Sequence, residues 1–304
     1  MTRDEPTALS QSLNAKTPLI LSGAMGTELE RRGVSIGLPL WSANALIVSP
    51  ETVFQIHTDY IEAGADVIVT NTFRTNRRVF KNANLPDDSF ALTKKAVELA
   101  HRARENFPER KILIAGCVAP VEDCYKPELV PSEKELENEH AELVERLVEF
   151  GVDFLLIETM TTIREAYAAA KAAKTSGKEF VVSFTCKHDG MLYGGERLED
   201  ASKAVAELQP TMLGLNCISP RYLSPLIRQL KSALPHSAIK FAVYGNIGKP
   251  DVRDGKMVRD VAPDEYARFA HEWRSLGAAM IGGCCGTTPE YIRRIERSSS
   301  HIFM

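Results

Sequence analysis

The sequence predicts an α/β protein built as a single (β/α)8 TIM barrel, and three observations carry that expectation. Eight short runs rich in β-branched and apolar residues recur at 19–22, 67–70, 112–116, 154–158, 180–185, 212–216, 240–244 and 278–282. They are apolar throughout rather than alternating, as strands covered on both faces are. Helical patterns fill the intervals, and the joins EAGAD, EFGVD and SLGAA each pass from helix to strand through a glycine. Eight such units in 304 residues match a closed barrel. A doubly wound open sheet is the competing arrangement. Chemically distinctive residues at the ends of both the first and the last run favour closure, which makes those ends neighbours.

The elements follow in order. Residues 1–15 are polar and read as a flexible arm, 16–296 as the barrel, and 297–304 as a tail. The first long helix covers 51–63, with Val53, Ile56, His57, Tyr60 and Ile61 at helical spacing. Ser49 is placed to cap it and Pro50 to open its first turn. Helices over 133–150 and 263–276 end at Gly151 and Gly277.

Composition narrows the function. With 37 basic and 40 acidic residues the formal net charge is -3, so no basic footprint for nucleic acid exists. The N-terminus lacks the apolar core of a signal peptide, and no run is long enough to span a bilayer. A cytoplasmic protein is expected, with no membrane or nucleic-acid partner. There, six cysteines point to metal binding, catalysis or burial rather than to disulfides.

Three cysteines fall at strand ends, where barrels of this kind place their chemistry. Cys217 closes LGLNC after the sixth run, and Cys284 and Cys285 lie in IGGCCGTTP after the eighth. Adjacent cysteines on an extended strand point to opposite faces. Gly282, Gly283 and Gly286 allow the bend that would aim both at one ion. Three thiolates leave one position open, as catalytic zinc sites do. Cys117, Cys124 and Cys186 are either a source of a fourth ligand or buried small hydrophobes. A zinc ion so rich in thiolate is a poor activator of water. It suits binding a substrate thiol and removing its proton.

These residues carry a family resemblance. GAMGTELERRG (23–33), LWSANALIVSPE (40–51), EAGADVIVTNTF (62–73), IET (157–159), GLNC (214–217) and IGGCCGTTPEYI (281–292) resemble the homocysteine S-methyltransferases. The resemblance implies a zinc-dependent barrel in which Cys217, Cys284 and Cys285 hold Zn2+ and carry the catalysis. It implies that Glu158 takes the substrate ammonium and that the N–H groups of Ala24 and Met25 take its carboxylate. Thr72 would add a polar contact, and Asn246 in YGNIG resembles the asparagine of a PNAG motif in the methionine synthase branch. Gly245 stands where that motif has proline. The family usually reads DGAMGT, and this chain has Ser22 in place of the aspartate.

The small-molecule substrates implied are homocysteine and a methyl donor. A sulfonium donor, S-methylmethionine or S-adenosylmethionine, is expected, with Trp41 and Phe73 offering cation–π contact. The competing readings are the homocysteine-activating half of a corrinoid-dependent methionine synthase, transfer to another small thiol, and a non-catalytic zinc or thiol-binding barrel. A zinc hydrolase would need a base on bound water, and neither His188 nor His236 has metal-type spacing.

Ser22 removes one charge-assisted contact, worth roughly 1.5–3 kcal/mol against about 1 for a neutral hydrogen bond. Ser22→Asp is therefore expected to lower the KM for homocysteine. An unchanged KM in steady-state assays would refute the assigned role.

Overall fold

The computed structural model describes residues 8–13, 17–248 and 260–300, with the side chains of 298–300 excepted. Eight strands form the barrel: β1 (Leu19–Ile20), β2 (Val67–Val69), β3 (Leu113–Val118), β4 (Phe154–Met160), β5 (Phe180–Phe184), β6 (Met212–Asn216), β7 (Lys240–Gly245) and β8 (Ala278–Gly283). All neighbours are parallel, in the order β1-β8-β7-β6-β5-β4-β3-β2. A parallel bridge from Leu21 to Val67 joins the two ends of that order and closes the ring. The expected runs and the observed strands coincide, apart from β1, which is only two residues long.

The helices are α1 (Ala8–Ser12), α2 (Gly26–Arg31), α3 (Asn44–Val48), α4 (Pro50–Glu62), α5 (Arg77–Asn82), α6 (Ser89–Glu105), α7 (Glu133–Glu149), α8 (Ile163–Thr175), α9 (Leu198–Ala206), α10 (Pro220–Ala233), α11 (Pro263–Ser275) and α12 (Pro289–Ser300). The three helices expected from periodicity are α4, α7 and α11. In α7 the Ser132–Glu135 capping box fixes the start. No helix among the described residues is long and apolar enough to cross a membrane.

Alternation along each strand divides two cores. Leu113, Phe154, Leu156 and Met280 fill the barrel interior. Ile114, Leu155, Ile157 and Ile281 face the helices. Both sets are buried, and that is why the runs read as continuously apolar.

The arm expected over 1–15 differs from the structure where residues are described. Helix α1 closes the lower end of the barrel, with Leu9 fully buried and Leu13 nearly so. The Glu179 carboxylate accepts the N–H groups of Leu9 and Ser10, each at 3.2 Å. Lys240 Nζ donates to the Leu13 carbonyl at 2.8 Å, so both helix ends are matched in charge. Residues 1–7 and 14–15 of that expectation lie outside the described residues. The expected tail over 297–304 starts inside α12, and 301–304 lie outside the described residues.

The closing seam is tight. A Cβ on Gly282 would stand 2.5 Å from Leu21 Cβ and 2.7 Å from the Leu21 carbonyl oxygen. Overpacking of this kind costs about 1–3 kcal/mol. Gly282→Ala is expected to lower Tm by roughly 3–10 °C. A thermal melt indistinguishable from the parent would contradict the tight seam.

Candidate active site and metal centre

The upper ends of the strands surround a cavity of about 360 Å³. Its most distinctive wall is made by three thiols. The backbone at the end of β7 sets their spacing. Cys217 N–H donates to the Tyr244 carbonyl at 3.2 Å, and Cys284 N–H donates to the Gly245 carbonyl at 2.8 Å. Ile247 N–H donates to the Cys285 carbonyl at 3.1 Å. The chain then turns at Gly286, whose φ of +83° lies in the left-handed region. Gly286 N–H donates to Thr27 Oγ1 at 2.8 Å, tying this turn to the loop after β1.

The result brings the Sγ atoms of Cys217, Cys284 and Cys285 within 4.8 Å of one another. Cys217 and Cys285 are 3.6 Å apart. Two thiolates each 2.3 Å from a tetrahedral zinc ion are about 3.8 Å apart, so the spacing fits such an ion. The charges fit as well. Hydrogen bonds from Cys284 and Cys285 hold the Cys217 thiol well below its ordinary pKa. The same contacts push Cys284 and Cys285 up. Three thiolates gathered this closely need a positive ion among them.

Glu158 stands at the end of β4 on the cavity wall. Its place depends on a break in β4, where the register with β5 shifts between Ile157 and Met160. Thr159 there adopts φ 62°, a conformation a β-branched residue rarely takes. The Asn216 amide holds it. Thr159 N–H donates to Asn216 Oδ1 at 2.9 Å, and Asn216 Nδ2 donates to Thr159 Oγ1 at 2.9 Å. Burial pushes the Glu158 carboxyl up to about 7, against the hydrogen bond that Cys117 Sγ donates to its Oε1 at 3.0 Å.

The loop after β1 supplies the opposite wall. Ser22, Ala24 and Met25 all line the cavity. The Ala24 N–H expected for a substrate carboxylate already donates to Thr287 Oγ1 at 3.2 Å. Met25 precedes the first turn of α2, where N–H groups lack intrahelical partners. Thr72 is not on the wall. Its hydroxyl donates to the Cys117 carbonyl at 2.7 Å, so it positions Cys117 from behind. Asn246 is buried beside Cys217, and its Oδ1 has no hydrogen-bond partner among the described residues. It belongs with the thiols rather than with the substrate wall. The rings of Trp41 and Phe73 meet edge to face at 5.3 Å on the cavity.

Two lining groups, Tyr125 and Arg74, carry no motif in the sequence, while Cys117, Cys124 and Cys186 divide between the cavity and the core. Tyr125 Oη is 3.2 Å from Cys217 Sγ, and its ring meets Tyr193 at 5.3 Å. Cys117 and Cys124 line the cavity, whereas Cys186 packs into the outer core. Arg74, directly after Phe73, is a buried cation on the same wall. The nearest signal was TNTFR itself, an arginine following an apolar strand end.

The family model described as homocysteine S-methyltransferase matches residues 19–299. Homocysteine S-methyltransferase 1 of Arabidopsis thaliana is 32% identical, over 91% of this chain and 92% of that protein. Homocysteine S-methyltransferase YbgG of Bacillus subtilis is 31% identical, over 91% and 93%. The metallated form of the Escherichia coli homocysteine methyltransferase MmuM superposes with a TM-score of 0.84 at 30% identity, over 96% of this chain and all of that one.

Losing an outer partner of a metal ligand costs about 10–100-fold in affinity, so losing a ligand should cost at least about 100-fold. Cys217→Ser is expected to abolish metal retention through anaerobic purification. Metal analysis finding one ion per chain in this variant would refute a three-thiol site.

Proposed function

This chain belongs to the homocysteine S-methyltransferase family, and we propose that it moves a methyl group from a sulfonium donor to homocysteine sulfur with the aid of zinc. The observation that carries the reading is the meeting of three cysteine sulfurs at the mouth of a barrel whose wall also holds Glu158. Cys217, Cys284 and Cys285 would hold the ion. Zinc, when bound, supplies the positive charge that stabilises a substrate thiolate at neutral pH.

The chain's own groups then fix the reactants. Glu158 receives the homocysteine ammonium, and the arriving cation offsets the burial that raises its pKa. The Met25 N–H, at the head of α2, receives the carboxylate. Ser22 adds a neutral hydrogen bond beside the ammonium. Asn246 steadies Cys217 rather than the substrate. Trp41 and Phe73 present their rings to the donor cation. Homocysteine sulfur forms a bond to the methyl carbon as the donor's carbon–sulfur bond breaks. The electron pair of that bond stays on the donor sulfur, which leaves as a neutral thioether. Methionine and the demethylated donor are the products.

A single barrel domain over 16–296 carries this activity. All six cysteines are free, which favours a reducing compartment, and the cytoplasm is the location proposed.

A donor screen tests the reading. Zinc-loaded protein with homocysteine should form methionine from S-methylmethionine or S-adenosylmethionine. Turnover with methylcobalamin and none with either sulfonium compound would replace it with the corrinoid reading.

A further inference from the structure

Arg74 has a place in the cavity that the groups named above leave unexplained. It is 7% exposed, lies on the cavity wall, and its guanidinium makes no hydrogen bond or ion pair among the described residues. The Phe73 ring lies beside it, with Cζ 5.9 Å from the centroid, and the Cys124 thiol is near enough to feel its charge. The other sheltered arginines among the described residues are matched. Arg32 meets Glu28 and Asp59, Arg78 meets Glu139, and Arg104 meets Asp153. The two carboxylates on the cavity wall are engaged elsewhere. Glu158 accepts the Cys117 thiol, and Asp123 accepts Tyr125 N–H at 3.0 Å and lies 3.8 Å from Lys126 Nζ. Arginine does not lose its proton to escape burial. A buried guanidinium that faces a cavity and pairs with none of the carboxylates on its wall is suited to a ligand anion.

We propose that Arg74 receives the carboxylate of the methyl donor and so sets the preference for carboxylate-bearing over carboxylate-free donors. The inference rests on the methyl-transfer reading above. Position assigns the anion to the donor rather than to homocysteine. Arg74 directly follows Phe73, whose ring meets Trp41 at the wall proposed for the cation. The acceptor's carboxylate is accounted for at the loop after β1, and its ammonium at Glu158. A ligand with its onium group against Trp41 and Phe73 and its carboxylate on Arg74 satisfies both features at once. The planar fork of arginine suits a carboxylate through two parallel hydrogen bonds.

The test uses the metal-loaded full chain and two donors, S-methylmethionine and the carboxylate-free trimethylsulfonium ion. Kinetics are read for the parent, Arg74→Gln and Arg74→Lys. Calorimetric titration of each donor without homocysteine supplies a readout independent of turnover. Arg74→Gln is expected to reduce the preference for S-methylmethionine over trimethylsulfonium by about 30-fold or more, in kcat/KM and in Kd. Arg74→Lys should recover part of it, and the KM for homocysteine should stay as in the parent. A raised KM for homocysteine would assign the anion to the acceptor and overturn the proposal. An equal loss for both donors would show a packing role, and no change would show a guanidinium matched by water; either result overturns it. If the parent moves no methyl from any donor, the proposed reaction fails, while the titration still decides the role of Arg74.

Discussion

Two hydrogen bonds at the end of β7 set the spacing of the three thiols of the candidate metal site. The carbonyls of Tyr244 and Gly245 hold the backbones of Cys217 and Cys284, one on each side of the strand. Cys217 and Cys284 are far apart in sequence, yet β6 and β8 flank β7 directly. The sequence gap is therefore bridged by one intervening strand, and barrel closure is not what unites the thiols. Gly245 has its own part in this. Its N–H donates to Tyr266 Oη at 2.9 Å, an interaction that proline, lacking the N–H, would forfeit. The departure from PNAG thus has a local physical reason in this chain.

Closure has a different task, which is to bring the β1 loop against the loop that bears Cys284 and Cys285. Leu21 bridges to Val67, and Leu21 N–H donates to the Ile281 carbonyl at 2.8 Å. Thr27 and Thr287 then stitch the two loops together, and the Tyr60 hydroxyl reaches the Ala24 and Thr287 carbonyls at 2.8 and 3.1 Å. The strained backbone gathers in the same region. Five non-glycine residues among those described have positive φ, and three of them, Trp41, Thr159 and Cys217, line the cavity. Such conformations cost of order 1–3 kcal/mol each and persist where surrounding contacts over-determine them. The Asn216–Thr159 pair is one such set of contacts, and it connects the strand that bears Cys217 to the strand that bears Glu158.

The fold was legible because its signal is repeated. Eight doubly buried strands each leave an apolar run, and a misjudged boundary in one does not disturb the other seven. The three cysteines were legible for a related reason: their residue type is rare and their glycine neighbours announce a bend. Helix α1 was not, because five residues carry too little periodicity and Leu9 gains its burial from strands far along the chain. The resemblance offers the Ala24 N–H to a substrate carboxylate, and nothing in GAMGT reveals that Thr287 lies opposite it. Thr72 shows the same limit from the other side. A threonine at a strand end reads as a site residue, and only the paired strand β3 shows its hydroxyl turned to Cys117. Arg74 is not legible in sequence, because what sets it apart is the lack of an anionic partner among the described residues, and a missing partner has no sequence signature.

The arrangement of charge in the cavity follows from the chemistry proposed for it. A sulfonium cation and a thiolate lose their charges as the methyl group moves. Any protein group that gripped those reacting charges firmly would hold the ground state more tightly than the transition state, and the rate would fall. The cavity avoids this at the donor cation. The wall proposed for it is made of the Trp41 and Phe73 rings, which hold a cation more weakly than a carboxylate does. The full charges of Glu158 and Arg74 are assigned instead to groups that keep their charge throughout, the acceptor ammonium and the donor carboxylate. Binding through those spectators is the same before and during transfer, so it orients the two sulfurs without opposing the neutralisation between them. On this view an aspartate at position 22 would supply only spectator binding, so serine there would weaken the grip on the acceptor and leave the barrier to transfer unchanged.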